Sequence, residues 1–315
     1  MEICSFGEHG LKRLAIGAAI VAVMLLVSAI GGFWWLTRRI EGSYFDSEGV
    51  RIHFTDEGAG APVVLLHGFA VNSDLNWRLP GLTEALAREF RVISMDLRGH
   101  GLSGKPHDSE LYGDAMAEDV IALLDHLGIE KAHLVGYSLG GIITLKLATT
   151  HPDRLLSASP LGAGWENPED STFLVALDGI AEALESGRGV PPLSASLGGD
   201  REAPGFLHTI WVRVMTGYLN DGRALAAMVR GIRGLTVERE AVGRISVPVC
   251  SIVGTIDPMK AGVDAMVGVV PDHTVVFVEG ADHLQATRSP ELARALREFL
   301  RSHSDGTGLS KDAGA

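Results

Sequence analysis

Gly136-Tyr137-Ser138-Leu139-Gly140 sets a serine between two glycines, each two residues away. On a very tight strand-to-helix turn such a serine holds its hydroxyl above the sheet in strained backbone geometry. The glycines let strand and helix cross without collision. The pattern predicts a nucleophile, Ser138. A serine hydroxyl is nearly inert at neutral pH and needs a base within hydrogen-bond reach. Of twelve histidines, His283 stands in Gly280-Ala281-Asp282-His283-Leu284, just past the last strand expected in the chain. Active sites of parallel sheets gather in such loops. Asp257, in Gly254-Thr255-Ile256-Asp257-Pro258, follows another expected strand. It can hold the imidazole and stabilise its charged form. Asp282, adjacent to His283, is read as an acid that braces its loop. In a chain with 39 glycines the pentapeptide alone is a weak signal. A serine, an aspartate and a histidine in that order at three strand ends make a strong one.

The negative oxygen of a tetrahedral intermediate needs at least two donors. One is expected from the N–H of Leu139, at the start of a helix whose dipole favours negative charge. The second is expected from His67-Gly68-Phe69-Ala70, through the N–H of Phe69. Trp77, Tyr137, Trp165, Trp211 and Met215 are candidates for a substrate pocket, although aromatic and sulfur side chains at helical spacing also serve as ordinary core.

Two other chemistries are considered and set aside. Gly99-His100-Gly101-Leu102-Ser103-Gly104 matches a dinucleotide fingerprint, but Lys105-Pro106-His107-Asp108 follows where a helix should open. The segment reads as a loop near the site, braced by Asp96 and Arg98. Paired cysteine ligands and H-e-x-x-H are missing from the sequence, so no metal and no cofactor is expected.

Positioning these residues takes strands that alternate with helices. Apolar runs at Val63–Leu66, Arg91–Met95, Ala132–Val135 and Leu155–Ser159 are separated by helix-period stretches at Pro80–Glu89, Asp114–Leu127 and Leu139–Thr149. An initial hairpin is expected around Glu48-Gly49. The rhythm predicts a mostly parallel sheet with helices on both faces. It breaks between about Gly162 and Arg244, where Phe173–Leu184, Phe206–Leu219 and Arg223–Leu235 read as amphipathic helices. Strands resume at Val247–Val253 and Thr274–Val278, and a last helix spans Pro290–Leu300. The expected organisation is a core of residues 43–161 and 245–301, a helical cap at 162–244 and a disordered tail at 302–315.

Residues 62–160 and 246–300 resemble the α/β-hydrolase superfamily, in particular its esterases with an inserted cap. The matching pieces are HGF at 67–69, DLRGHGLSG at 96–104, GYSLGG at 136–141, VGTIDP at 253–258 and GADHL at 280–284. The resemblance implies an α/β fold with an eight-stranded, mostly parallel sheet and acyl-enzyme chemistry. In that family glycine often stands directly before the histidine, where this chain has Asp282. Epoxide hydrolases and haloalkane dehalogenases place a carboxylate at the position of Ser138, which disfavours both.

The chain of 315 residues carries a net charge of −12, which argues against nucleic acid as a partner. Cys4 and Cys250 support no disulfide framework. Leu14 to Leu36 runs without a charge between Lys12-Arg13 and Arg38-Arg39, with Trp34-Trp35 near one end. At about 34 Å as a helix, it predicts a retained single-pass anchor after a tail of residues 1–13. A membrane protein with its catalytic domain on the extracytoplasmic side is therefore expected. The expected partner is a small-molecule ester, and no oligomeric state is legible. Hydrolysis of carboxylic esters is the leading expectation. The same serine machinery could instead serve C–C or amide hydrolysis or perhydrolysis, or the scaffold could bind without turnover.

Overall fold

The computed structural model describes residues 40–167, 171–189, 217 and 219–304, together with Met24. The chain divides into two units, 1–39 and 40–315. Within the second, eight strands form one sheet in the order β1-β2-β4-β3-β5-β6-β7-β8. β1 (Ser43–Ser47) and β2 (Val50–Gly58) form the expected hairpin, with Glu48 and Gly49 at positive φ between them. β2 also runs antiparallel to β4 (Arg91–Met95). All other neighbours are parallel: β3 (Pro62–Leu66), β5 (Ala132–Tyr137), β6 (Leu155–Leu161), β7 (Val249–Gly254) and β8 (His273–Val278).

The central strands are uninterrupted apolar runs because helices cover both faces. Val63, Val64, Leu65 and Leu66 are all fully buried. One face packs on α2 (Asp114–His126) and α3 (Leu139–Thr150). The other packs on α1 (Leu82–Ala87) and on a long helix near the C-terminus, Pro290–Ser302. That last helix shows how sequence makes it. Ser289 caps it by accepting the Glu291 N–H, Pro290 occupies the first turn, and Leu292, Leu296, Phe299 and Leu300 fall on one buried stripe. α3 is instead buried almost all round, since it lies between the sheet and the polypeptide inserted after β6.

Between β6 and β7 the described residues form α4 (Ser171–Glu185), α5 (Gly222–Gly231) and α6 (Arg239–Val242). α4 and α5 contribute to the same core as α2 and α3 through Leu177, Ile180, Leu184 and Leu225 to Val229. α7 (Lys260–Asp264) follows β7, and the C-terminal helix is α8. Most of the helix expected over 206–219 lies outside the described residues, as do 305–315 of the expected tail. Residues 302–304 do not begin a tail: Ser302 ends α8, and Ser304 Oγ contacts His133 Nε2 at 3.0 Å.

The expectation of a membrane protein is corrected. Among the described residues no helix is long and apolar enough to cross a membrane. The segment 14–36 that suggested it lies, apart from Met24, outside the described residues.

Candidate active site

A tight turn carries Ser138, and loops after two strands carry Asp257 and His283. The turn between β5 and α3 holds Ser138 at φ 53°, ψ −113°, a region that a residue with a β-carbon rarely adopts. The flanking glycines explain how it persists. A β-carbon on Gly136 would lie 2.0 Å from the Gly140 carbonyl oxygen, and one on Gly140 would lie 2.2 Å from that of Leu66. Strand and helix therefore cross at a distance that only two glycines permit. The Ser138 N–H donates to Leu161 O at 2.8 Å, which anchors the turn to the adjoining strand β6.

His283 and Asp257 come from the loops after β8 and β7. Imidazole Nδ1 lies 3.0 and 2.9 Å from the two Asp257 carboxylate oxygens, and the carboxylate is completely buried. Asp257 Oδ1 also accepts the Met259 N–H at 2.9 Å. Facing a carboxylate, which only accepts, Nδ1 is the donor of the His283–Asp257 contact. Asp282 accepts the N–H groups of Leu284 and Gln285 at 3.0 and 2.9 Å, so it braces the loop. Among the described residues Ser138 Oγ makes no hydrogen bond, and the serine is half-buried. The structure brings Asp257 and His283 together and, among the described residues, forms no hydrogen bond between the Ser138 hydroxyl and the imidazole.

What links the turn to the base is Tyr137. Its hydroxyl donates to the His283 carbonyl, and its ring lies 5.1 Å from the imidazole centroid. Burial raises its pKa well above the ordinary tyrosine value, so it stays a donor. Tyr137 packs against Trp77 on the α1/α8 face and is buried behind the reacting groups. Both, expected as pocket residues, are buried, Trp77 on the π-helical turn Asp74–Arg78 and Tyr137 at the end of β5. Trp165 is half-buried. Its indole N–H donates to Val237 O at 2.8 Å, and it shares an apolar cavity with Ile142, Leu145, Ile232, Leu235 and Val237. Ser138, Asp257 and His283 do not line that cavity. Trp211 and Met215 lie outside the described residues.

The loop after β3 passes directly against the serine: a β-carbon on Gly68 would meet Ser138 Cβ at 3.5 Å. His67 sets its orientation. Its Nε2 accepts the Leu97 N–H at 3.0 Å, so Nδ1 must be the protonated nitrogen and donates to Gly68 O at 2.7 Å. Burial lowers the His67 pKa and keeps the ring neutral in this role. Asn76 Oδ1 accepts the Gly68 N–H at 2.9 Å from a π-helical turn, Asp74–Arg78. Because a trans peptide points its C=O and N–H in opposite directions, tying Gly68 O to His67 turns the Phe69 N–H the other way. Among the described residues that N–H has no acceptor. On the other side, Ile142 is the first residue of α3 to bond back into the helix, to Ser138 O. The Leu139 N–H therefore has no helical acceptor.

A second buried network stiffens this end of the sheet. Asp96 accepts from Ser73 N and Oγ, from Leu102 N and from His53 Nδ1, all at 2.8 to 3.0 Å. Despite burial, which opposes it, this set holds the Asp96 carboxyl well below the usual carboxylate range. Arg98 grips Asp119 with two bonds of 2.6 and 2.7 Å and reaches Leu111 O. The glycine-rich stretch 99–104 is indeed a loop, closed by Gly99 N–H to Gly104 O at 2.8 Å. The parts of His67, Asn76, His53 and Ser73 were not foreseen. The only sequence signal was the polar cluster Asn72-Ser73-Asp74 just before Leu75-Asn76-Trp77.

Comparison with known proteins follows this geometry. Residues 61–186 match the model of the alpha/beta hydrolase fold. The chain is 41% identical over 109 residues to 2-hydroxymuconate semialdehyde hydrolase of Pseudomonas sp. (strain CF600), covering 34% of this chain and 38% of that protein. It is 27% identical over 268 residues to pimeloyl-[acyl-carrier protein] methyl ester esterase of Aliivibrio fischeri (strain ATCC 700601 / ES114), covering 80% of this chain and 98% of that protein. Against four such relatives the chain covers only 20 to 38% of their own length. Among solved structures, a thermophilic esterase from Thermogutta terrifontis superposes with TM-score 0.64 at 27% identity, covering 85% of this chain and 99% of that one. The meta-cleavage product hydrolase of Pseudomonas fluorescens IP01 gives TM-score 0.64 at 22% identity, covering 83% and 98%.

Proposed function

From the α/β-hydrolase fold that this chain has, we propose that it is a serine hydrolase that splits carboxylic esters through an acyl-enzyme intermediate. Ser138 Oγ attacks the carbonyl carbon while His283 Nε2 takes its proton. Asp257 holds the imidazole by Nδ1 and stabilises the imidazolium that forms. The carbonyl oxygen, now negative, lies between the N–H groups of Phe69 and Leu139. His283 returns the proton to the departing alcohol. Water repeats the sequence on the acyl-enzyme and releases the acid. The observation that carries the reading is the strained Ser138 turn, one residue from Tyr137, whose hydroxyl donates to the carbonyl of the His283 that pairs with buried Asp257.

Ester cleavage is favoured over other bonds by the full-length likeness to an esterase, which spans 98% of that relative. A second reading, hydrolysis of a C–C bond in a vinylogous diketone, draws on the 41% identity over 109 residues to the semialdehyde hydrolase. Purified protein assayed on nitrophenyl esters and on a ring-cleavage diketone separates the two. Ser138→Ala is expected to lower kcat on the preferred substrate by about 10⁴-fold or more. Retention of full activity would overturn the assignment of the nucleophile.

A further inference from the structure

We propose that Asn220 is a positioning residue that ties the helical insertion to the loop carrying the Phe69 N–H. The inference rests on the hydrolytic reading above. Asn220 Nδ2 donates to the Ala70 carbonyl at 3.0 Å, across 150 residues of sequence. Ala70 is one of three non-glycine residues at positive φ among the described residues, the others being Glu48 in a hairpin and Ser138 itself. A side chain held at φ 57° relaxes unless its surroundings oppose the change. At one end of the loop, His67 and Asn76 clamp the Gly68 peptide groups. At the other end the clamp is Asn220, and it alone of the three comes from the insertion.

The next residue strengthens the attachment. Asp221 caps α5 by accepting the N–H groups of Arg223 and Ala224, and its Oδ2 meets His107 Nε2 at 2.9 Å. Two consecutive residues at the start of α5 thus grip two separate core loops. α5 itself is seated by Ala224, Leu225, Met228 and Val229, all buried. Displacing the insertion breaks the Asn220 bond first at the loop whose geometry matters most. Ala70 is then free to leave the left-handed region, which leaves the adjoining Phe69 N–H held from the His67 side and less steadily aimed at the place where the carbonyl oxygen becomes negative. The insertion's position is in this way transmitted to the stabilisation of charge, and not to the triad. Ground-state binding changes little, because the donors act on charge that develops only in the transition state.

The test uses the full chain with Asn220→Ala and the isosteric Asn220→Asp, which replaces a donor by a negative acceptor facing the Ala70 carbonyl. On the best ester, Asn220→Ala is expected to lower kcat by about ten- to a hundredfold, the range for a slightly misplaced group. KM stays within about threefold, since uniform binding is retained. Asn220→Asp should be worse, whereas Asn220→Gln, which keeps the donor, should recover part of the loss. A boronic acid that forms a tetrahedral adduct on Ser138 should weaken by the same factor as kcat/KM. Unchanged kcat and boronate affinity in both the alanine and aspartate variants would overturn the proposal. Hydrogen exchange in the peptide spanning 66–72 supplies a readout independent of turnover: it should speed up in Asn220→Ala, and unchanged exchange overturns the tether. Failure of the wild-type chain to cleave any substrate or to label with a fluorophosphonate would instead count against the hydrolytic reading, with the exchange result still deciding the tether.

Discussion

Ser138, Gly136 and Gly140 act as one device, and each can be disturbed separately. Gly140→Ala places a methyl group 2.2 Å from the Leu66 carbonyl oxygen, so α3 or β3 must move. The expected cost is about 1–3 kcal/mol of stability, as for other overpacked sites, measured by urea unfolding. Activity should fall further than stability does, because the helix that moves carries the Leu139 N–H. Tyr137→Phe keeps the ring and deletes one hydroxyl. It should leave folding cooperative yet lower kcat about tenfold, since the His283 backbone loses its brace. A variant with wild-type kcat would show that the loop holds the base without help. At this scale the sequence disclosed residue types and order well: serine, aspartate and histidine each stand at a strand end as expected. It disclosed side-chain partners poorly. His67 acts on its own neighbour's carbonyl, and Asn76 reaches back eight residues from a π-helical turn. Such bonds from side chain to backbone leave no periodicity to read. Tyr137, expected at the pocket from its place beside Ser138, is turned by the period-two alternation of β5 to the face that holds Trp77.

The elements differ in how plainly they are written. The strands β3 to β6 were legible because burial on both faces demands unbroken apolar runs. α8 was legible because its apolar stripe, capping serine and leading proline all agree. Leu296→Ala, at the centre of that stripe and fully buried, should destabilise by about 2–5 kcal/mol, whereas Ser289→Ala should cost about 1 kcal/mol. Chemical denaturation distinguishes the two. The helix expected over Pro80–Glu89 is shorter, Leu82–Ala87, since Gly81 at φ 85° ends the preceding turn and opens a new one. The π-helical turn before it has no sequence signature, because one residue more or less per turn hardly alters a short apolar pattern.

At the scale of the whole molecule, buried histidines tie stability to pH. Burial first, then the neighbouring His67, lowers the His100 pKa from 6.5 to about 3. In the unfolded chain His100 protonates as pH falls below about 6.5, whereas the native ring resists until about 3. Unfolding therefore takes up a proton in this window, and stability present above pH 6.5 is lost as pH falls. His67 is shifted in the same direction by burial and adds to the slope. Urea midpoints between pH 7 and 4.5 should decline, and His100→Gln should flatten the decline by about one proton's worth. An unaltered slope would place the acid sensitivity elsewhere. The insertion is the part that sequence resolved least. Its amphipathic helices announce that something covers the sheet, but not which loops they grip.

The sheet is laddered unevenly. β6 and β7 share one registered pair, Ala158 with Val249, and two further backbone bonds, Ala158 N–H to Pro248 O and Gly162 N–H to Ile252 O. β5, whose end carries Ser138, lies on one side of that border, and β7 and β8, whose ends lead to Asp257 and His283, lie on the other. Alignment of the proposed triad depends on how these strands lie side by side. The phenol of Tyr137 reaches from the end of β5 to the His283 carbonyl like a strut, so shortening or lengthening it would shift His283 relative to Ser138 without altering either side chain.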